Sequence, residues 1–168
     1  ATGNISEGVS MWGQVFGHTA EQGMRDGIAG YDSNGAGFAL GMDTENLYEN
    51  SVIGLALSYN ENNVKSKNAN RTRSDLDTIQ LTLYGDHDLD DRTYISGQLS
   101  YGWTDTDQTR HDLGGVAGLD ASADYSAHSV STRAELGRNY PVNNIILTPK
   151  LSANWVHYMT DDCGETGF

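Results

Sequence analysis

The run densest in chemically capable side chains is Asp86-His87-Asp88-Leu89-Asp90-Asp91. Clustered carboxylate oxygens suit calcium, but the run lacks the glycine and closing glutamate of an EF-hand loop, and a solvated tight turn is the plainer reading. The histidines His18, His87, His111, His128 and His157 show no HExxH spacing, and are expected near strand ends and in loops as surface residues rather than zinc ligands. Serines are plentiful enough for a Ser-His-Asp triad, yet no Gly-x-Ser-x-Gly elbow is present. Gly114–Gly118 leads into no helix whose dipole would face a phosphate, so it reads as loop. Arg133, Glu135 and Lys150 carry complementary charges on strand-like segments and are expected to pair with one another. No catalytic residue, metal or cofactor is expected.

Composition narrows the classes further. The 168 residues are 37% hydrophobic with mean hydropathy -0.53, and hold 20 glycines against 2 prolines. A net charge of -13 would repel phosphates and argues against nucleic-acid binding. The single Cys163 excludes an intramolecular disulfide framework and a cysteine zinc cluster. No apolar run reaches the roughly 18 residues of a transmembrane helix. The opening ATGNISEG has no Met, basic region or apolar leader, so either a targeting signal has been removed or, the favoured reading, this is a piece of something longer, with residues 1–8 the remnant of a linker.

The elements that position these groups are strands. Period-2 alternation recurs, and helical spacing never lasts three turns. It predicts seven strands, over Ser10–His18, Gly35–Asp43, Val52–Asn60, Thr78–Tyr84, Thr93–Trp103, His128–Arg138 and Ile145–Tyr158. Short connections (TENLYENS, GDHDLDD, NYPVNN) alternate with long ones, as when one end of an antiparallel barrel is trimmed and the other elaborated.

One face of these strands is oily: Ile53, Leu55, Leu57, Ile79, Leu81, Leu83, Ile95, Leu99, Val130, Leu136, Leu147 and Leu151. A small soluble barrel would turn that face inward; a transmembrane barrel turns it to lipid and lines a wet lumen with the other. The polar face carries Ser, Thr, Gln, Asn and Gly rather than a dense Lys/Glu cover, which favours the lipid reading. Tyr59, Tyr101, Trp103, Tyr140 and Trp155 supply interfacial aromatics, although Tyr84, Tyr94 and Tyr158 have the opposite parity. The expected fold is all-β: an antiparallel up-and-down transmembrane β-barrel, incomplete, seen as an open curved sheet. Pro149, within the last strand, requires a bulge or a later strand start. The alternatives are a porin-like barrel and a soluble extracellular β-sandwich binding a ligand, which would bury Leu81, Leu99 and Trp155. Under the lipid reading, Lys65, Lys67, Arg71 and Arg73 either pair with anionic lipopolysaccharide or form an ordinary solvated loop.

Several segments together resemble the C-terminal translocator β-domain of classical (type V) autotransporters. They are MWGQVFGHTAEQG, GIAGYDSNGAGFALGMD, SVIGLALSYN and YISGQLSYGW, with Trp12, Gly30-Tyr31-Asp32, Gly37, Gly41, Asp43, Gly54-Leu55-Ala56 and Tyr59 in the family's order. The resemblance implies location in the bacterial outer membrane and export of an N-terminal passenger. It also implies a twelve-stranded barrel threaded by a helix, of which residues 1–168 would supply the N-terminal portion. No alternating strand precedes Phe168, which is therefore not read as the family's terminal aromatic. Its implied partners are outer-membrane lipid, lipopolysaccharide, the passenger segment and the outer-membrane assembly machinery. The expected lumen-lining groups, which would contact a helix or a moving chain, are Gln80, Gln98, Arg133, Glu135, Lys150 and Asn154.

Overall fold

The computed structural model describes residues 2–6, 8–25, 29–67, 72–111, 120–143, 145–160 and 164–166. Its strands are β1 (Thr2–Ser6), β2 (Val9–Gln22), β3 (Tyr31–Thr44), β4 (Ser51–Ser66), β5 (Arg73–Asp88), β6 (Thr93–Arg110), β7 (Ala121–Arg138), β8 (Tyr140–Val142), β9 (Ile145–Leu147), β10 (Lys150–Thr160) and β11 (Gly164–Thr166). Chain neighbours pair antiparallel from β1 through β7, β10 and β11 both pair with β7, and β8 with β9 forms a separate ribbon. This is an up-and-down meander in one open sheet.

Alternation gives the sheet its two faces, since paired residues share a face and successive residues alternate. Leu83 stands opposite both Leu55 and Leu99, and one residue later Tyr84 stands opposite Gly54 and Gln98. No hydrophobic core forms between layers. Among the described residues the buried apolar side chains are Ala56 and Ala123, while Ser33, Ser100 and Thr106 are buried and polar. Leu81, Leu99 and Trp155 are 48%, 50% and 57% exposed, the reverse of what a soluble sandwich demands.

Three local expectations are corrected. The strands are longer than the alternation marks; β6 runs on to Arg110, seven residues past Trp103. Polar outward residues break the apolar pattern there, but pairing continues because the backbone ladder is independent of which solvent the side chains meet. The run Ile145–Tyr158 is not one strand. Proline cannot donate to a ladder, so β9 ends at Leu147 and β10 starts at Lys150, just after Pro149. Finally, the acidic run is half strand, with Asp86, His87 and Asp88 in β5 and a turn over Leu89–Arg92. Within residues 1–8, expected as linker, Thr2–Ser6 pair with β2.

Candidate functional site

The inner wall is floored by glycine. Trp12, Phe16, His18, Tyr84 and Tyr94 each lie over a glycine on a neighbouring strand: Gly41, Gly37, Gly35, Gly54 and Gly137 respectively. A Cβ at any of these glycines would collide with the ring above it. The rings thereby replace the missing side chains, as aromatic residues do over glycines in curved sheets. Trp12 and Tyr84 sit three inter-strand spacings apart, about 14 Å, yet their tips meet. The Trp12 indole N–H donates to Tyr84 Oη at 2.6 Å, and Tyr84 Oη donates to Asp43 Oδ2 at 2.8 Å. This chain ties β2 and β3 to β5 across β4. It borders a hollow of about 430 Å³ reached also by Phe16, Gln80 and Gln98.

Toward the short-connection end the wall carries charge. Glu135 accepts from Arg133 Nη2 at 3.1 Å, Lys150 Nζ at 3.0 Å and Tyr94 Oη at 3.1 Å. Lys150 Nζ also lies 5.7 Å from the centre of the Tyr94 ring. The carboxylate is 13% exposed and the two cations about half exposed (54% and 52%), so the positive groups face the open side. Gln98 pairs with Arg133, which pairs with Asn154. The Gln98 and Gln80 amides donate to Ser100 and Thr82, each at 3.1 Å. Hydroxyl pairs Thr82–Ser100 and Thr78–Thr104, at 3.0 and 2.9 Å, continue the wall upward. Among the described residues Asn60 Oδ1 is a buried acceptor without a donor.

All six residues expected on the polar face share it. Trp12, Phe16 and His18 were not foreseen there, and Tyr84 and Tyr94 are marked in the sequence only by a parity opposite to that of the oily face. Each stands across from a glycine, a signal that appears only once strand register is known. The same finding accounts for the parity of Tyr84 and Tyr94, which belong to the inner wall and not to a girdle.

The opposite face collects Ile53, Leu55, Leu57, Ile79, Leu81, Leu83, Ile95, Leu99, Val130, Leu136 and Leu151 in lateral rows, with Tyr59, Tyr101, Trp103 and Trp155. Met11, Val15, Phe38, Leu40 and Met42 extend it. Leu147 and Tyr140 lie apart, on the β8–β9 ribbon. Aromatic pairs mark the upper margin: Phe38 with Tyr59 at 6.0 Å and Trp103 stacked on His128 at 5.9 Å. Immediately above, the outward positions turn acidic, with Glu61, Asp77 and Asp105 in one row and Asp75, Asp107 and Asp124 in the row two residues on.

The remaining candidates have ordinary structural partners. His18 and His157 lie toward strand ends as expected, whereas His87 lies in β5 rather than in a turn and His128 lies in the middle of β7; His111 follows β6 and pairs with Asp120 at 3.0 Å. The acidic run does not converge: Asp86 and His87 face opposite sides, and Asp90 caps its own turn, accepting from the Arg92 and Thr93 amides at 2.8 and 2.9 Å. Those bonds hold the Asp90 carboxyl below the usual carboxylate range. At the other end, Lys67 bridges Glu21 and Asp32 at 2.7 and 2.9 Å, which raises its ammonium above the ordinary lysine value. Arg73 Nε pairs with Asp75 at 3.0 Å. Arg71 and Gly114–Gly118 lie outside the described residues.

A family model described as the autotransporter β-domain matches residues 11–167. Outer membrane protein B of Rickettsia prowazekii is 23% identical over 180 residues, covering 99% of this chain and 11% of that protein. An extracellular serine protease of Serratia marcescens is 24% identical over 156 residues, covering 93% of this chain and 14% of that protein. The translocator domain of the autotransporter NalP from Neisseria meningitidis superposes with a TM-score of 0.74 at 22% identity, covering 95% of this chain and 52% of that one. The chain thus spans only about a tenth of the length of the curated relatives it matches, and the structural likeness speaks for fold alone.

Proposed function

The chain belongs to the autotransporter β-domain family of bacterial outer-membrane proteins, and from that premise we propose that it forms barrel wall that anchors and exports an N-terminal passenger to the cell surface. The observation that carries this reading is the inside-out polarity. Large aliphatic side chains cover the exposed outer face, while glycine, hydroxyl and amide groups build the other. Apolar outside suits hydrocarbon, and a small-residue inner wall leaves room for an extended chain to pass.

The wall works by holding and guiding, not by covalent chemistry. Glu135, the carboxylate best placed to act, is engaged by two cations and a phenol. A passing chain meets the exposed ends of Arg133 and Lys150 and the amides of Gln80, Gln98 and Asn154. Outer-membrane lipid and the acyl chains of lipopolysaccharide cover the apolar rows, and the outer-membrane assembly machinery would be needed to insert so oily a sheet. Lys67 and Arg73 are already held by carboxylates. Any share of that loop in binding lipopolysaccharide phosphates is tested by neutralising Lys65, Lys67, Arg71 and Arg73 together; unchanged binding removes it.

The main test is surface display. The full-length protein, epitope-tagged upstream of this domain, is produced in a Gram-negative host and intact cells are treated with protease. The tag is expected to be cleaved from intact cells, and to stay protected when the segment 11–167 is deleted. Equal cleavage with and without the segment overturns the proposal.

A further inference from the structure

The β8–β9 ribbon stands off the main sheet at the end with short connections. It pairs Tyr140 with Leu147, Pro141 with Ile146 and Val142 with Ile145. Tyr140, Leu147, Val142 and Ile145 therefore share one face, and Pro141 and Ile146 the other. Ile145 and Ile146 are 70% and 69% exposed, and Tyr140, Val142 and Leu147 are exposed as well. The base is fastened. The Arg138 amide donates to the Pro149 carbonyl at 3.2 Å, Asn139 N–H to the Arg92 carbonyl at 2.8 Å, and Thr148 Oγ1 to Asn139 Oδ1 at 2.8 Å. A two-stranded ribbon with apolar side chains on both faces is marginal in water.

We propose that this ribbon is an interfacial anchor, seated in the headgroup–acyl boundary of the leaflet on the short-connection side, with phospholipid as its partner. The proposal rests on the membrane reading above. Three observations select lipid as the occupant. Both faces are apolar, and a docked protein covers one face where a bilayer interface surrounds both. The site also continues the lipid-facing surface: the row Ile95–Leu136–Leu151 lies two residues before Arg138, where β7 ends, and the ribbon follows from Tyr140. Lastly, the Arg138 guanidinium lies 5.6 Å from the centre of the Tyr140 ring, joining an amphipathic aromatic to a cation at headgroup level. Asp90 lies within the electrostatic reach of Arg138 and is the acidic neighbour a lipid phosphate would compete with. Depth follows from the backbone. The outer edges of a lone ribbon carry N–H and C=O groups that hydrocarbon would leave unsatisfied, so it sits shallow.

The test uses the full-length protein with Cys163→Ser and a single environment-sensitive fluorophore at Ile146→Cys or, as reference, at Leu81→Cys. Folding of each is checked by heat-modifiable gel mobility. Both are reconstituted in phosphatidylethanolamine/phosphatidylglycerol vesicles carrying a spin-label quencher at the headgroup-proximal or the terminal acyl position. The Ile146 probe is expected to lose at least half its emission to the shallow quencher and clearly less to the deep one, with the order reversed at Leu81. Quenching at Leu81, with Ile146 quenched by aqueous iodide alone, overturns the ribbon proposal and leaves the membrane reading intact. Shielding of Ile146 only after purified assembly machinery is added means a protein partner and overturns it likewise. Lipid quenching at neither position overturns both.

Discussion

Glu135 concentrates the chemistry of single residues in this wall. Its carboxylate sits between Arg133 and Lys150, whose side chains remain half exposed. Glu135→Gln removes the negative partner and leaves two cations facing the bore. In planar bilayers the full-length protein should shift toward anion selectivity, read from the reversal potential under a salt gradient. An unchanged reversal potential places these side chains away from the conducting path. The glycine floor gives a second prediction. Gly54→Val drives side-chain atoms into the Tyr84 ring and should destabilise the barrel by about 1–3 kcal/mol, the usual cost of overpacking. It should also break the Trp12–Tyr84–Asp43 chain, while Gly97→Val, at a position with open space above it, should be far milder. Thermal unfolding in detergent, followed by heat-modifiable mobility, compares the two.

Strands and turns differ in how far the sequence discloses them. Ile79-Gln80-Leu81-Thr82-Leu83 announces a two-faced strand because lipid and lumen select opposite side chains at alternate positions. That alternation puts Gln80, Gln98, Arg133, Glu135, Lys150 and Asn154 on one shared face of the sheet. It fails where both sides are wet: Asp105–Arg110 read as loop yet complete β6. It fails again in β2, where Trp12 and Phe16 are aromatic but inward, because what they cover lies on β3, out of reach of a local pattern. Two predictions belong to this scale. Leu81→Arg, in mid-band, should cost about 2–4 kcal/mol in a bilayer, whereas Gln80→Arg on the wet face should cost little; refolding into vesicles under urea measures both. The Leu89–Arg92 turn should also be acid-sensitive. Its Asp90 carboxyl is held below its unfolded value, so the stabilisation is present above the ordinary carboxylate range and is lost as pH falls through the lowered folded value. Amide exchange at Arg92 and Thr93, corrected for the intrinsic rate, should accelerate between about pH 5 and pH 2, and Asp90→Asn should abolish that dependence.

Across the whole molecule, the apolar rows occupy only part of the wall. On β6 the outward positions from Ile95 to Trp103 are oily, and from Asp105 onward they are acidic or polar. An 18-residue strand is about 61 Å long at 3.4 Å per residue, and at the usual tilt of roughly 40° it climbs about 47 Å. The oily stretch accounts for about 24 Å of that height, close to the thickness of an outer-membrane apolar band. Around 18 Å of paired sheet thus rises past the girdle, with its carboxylates turned outward. If the wall exports a passenger as proposed above, such a parapet would act as a chimney, releasing cargo clear of the lipid headgroups behind a negatively charged rim.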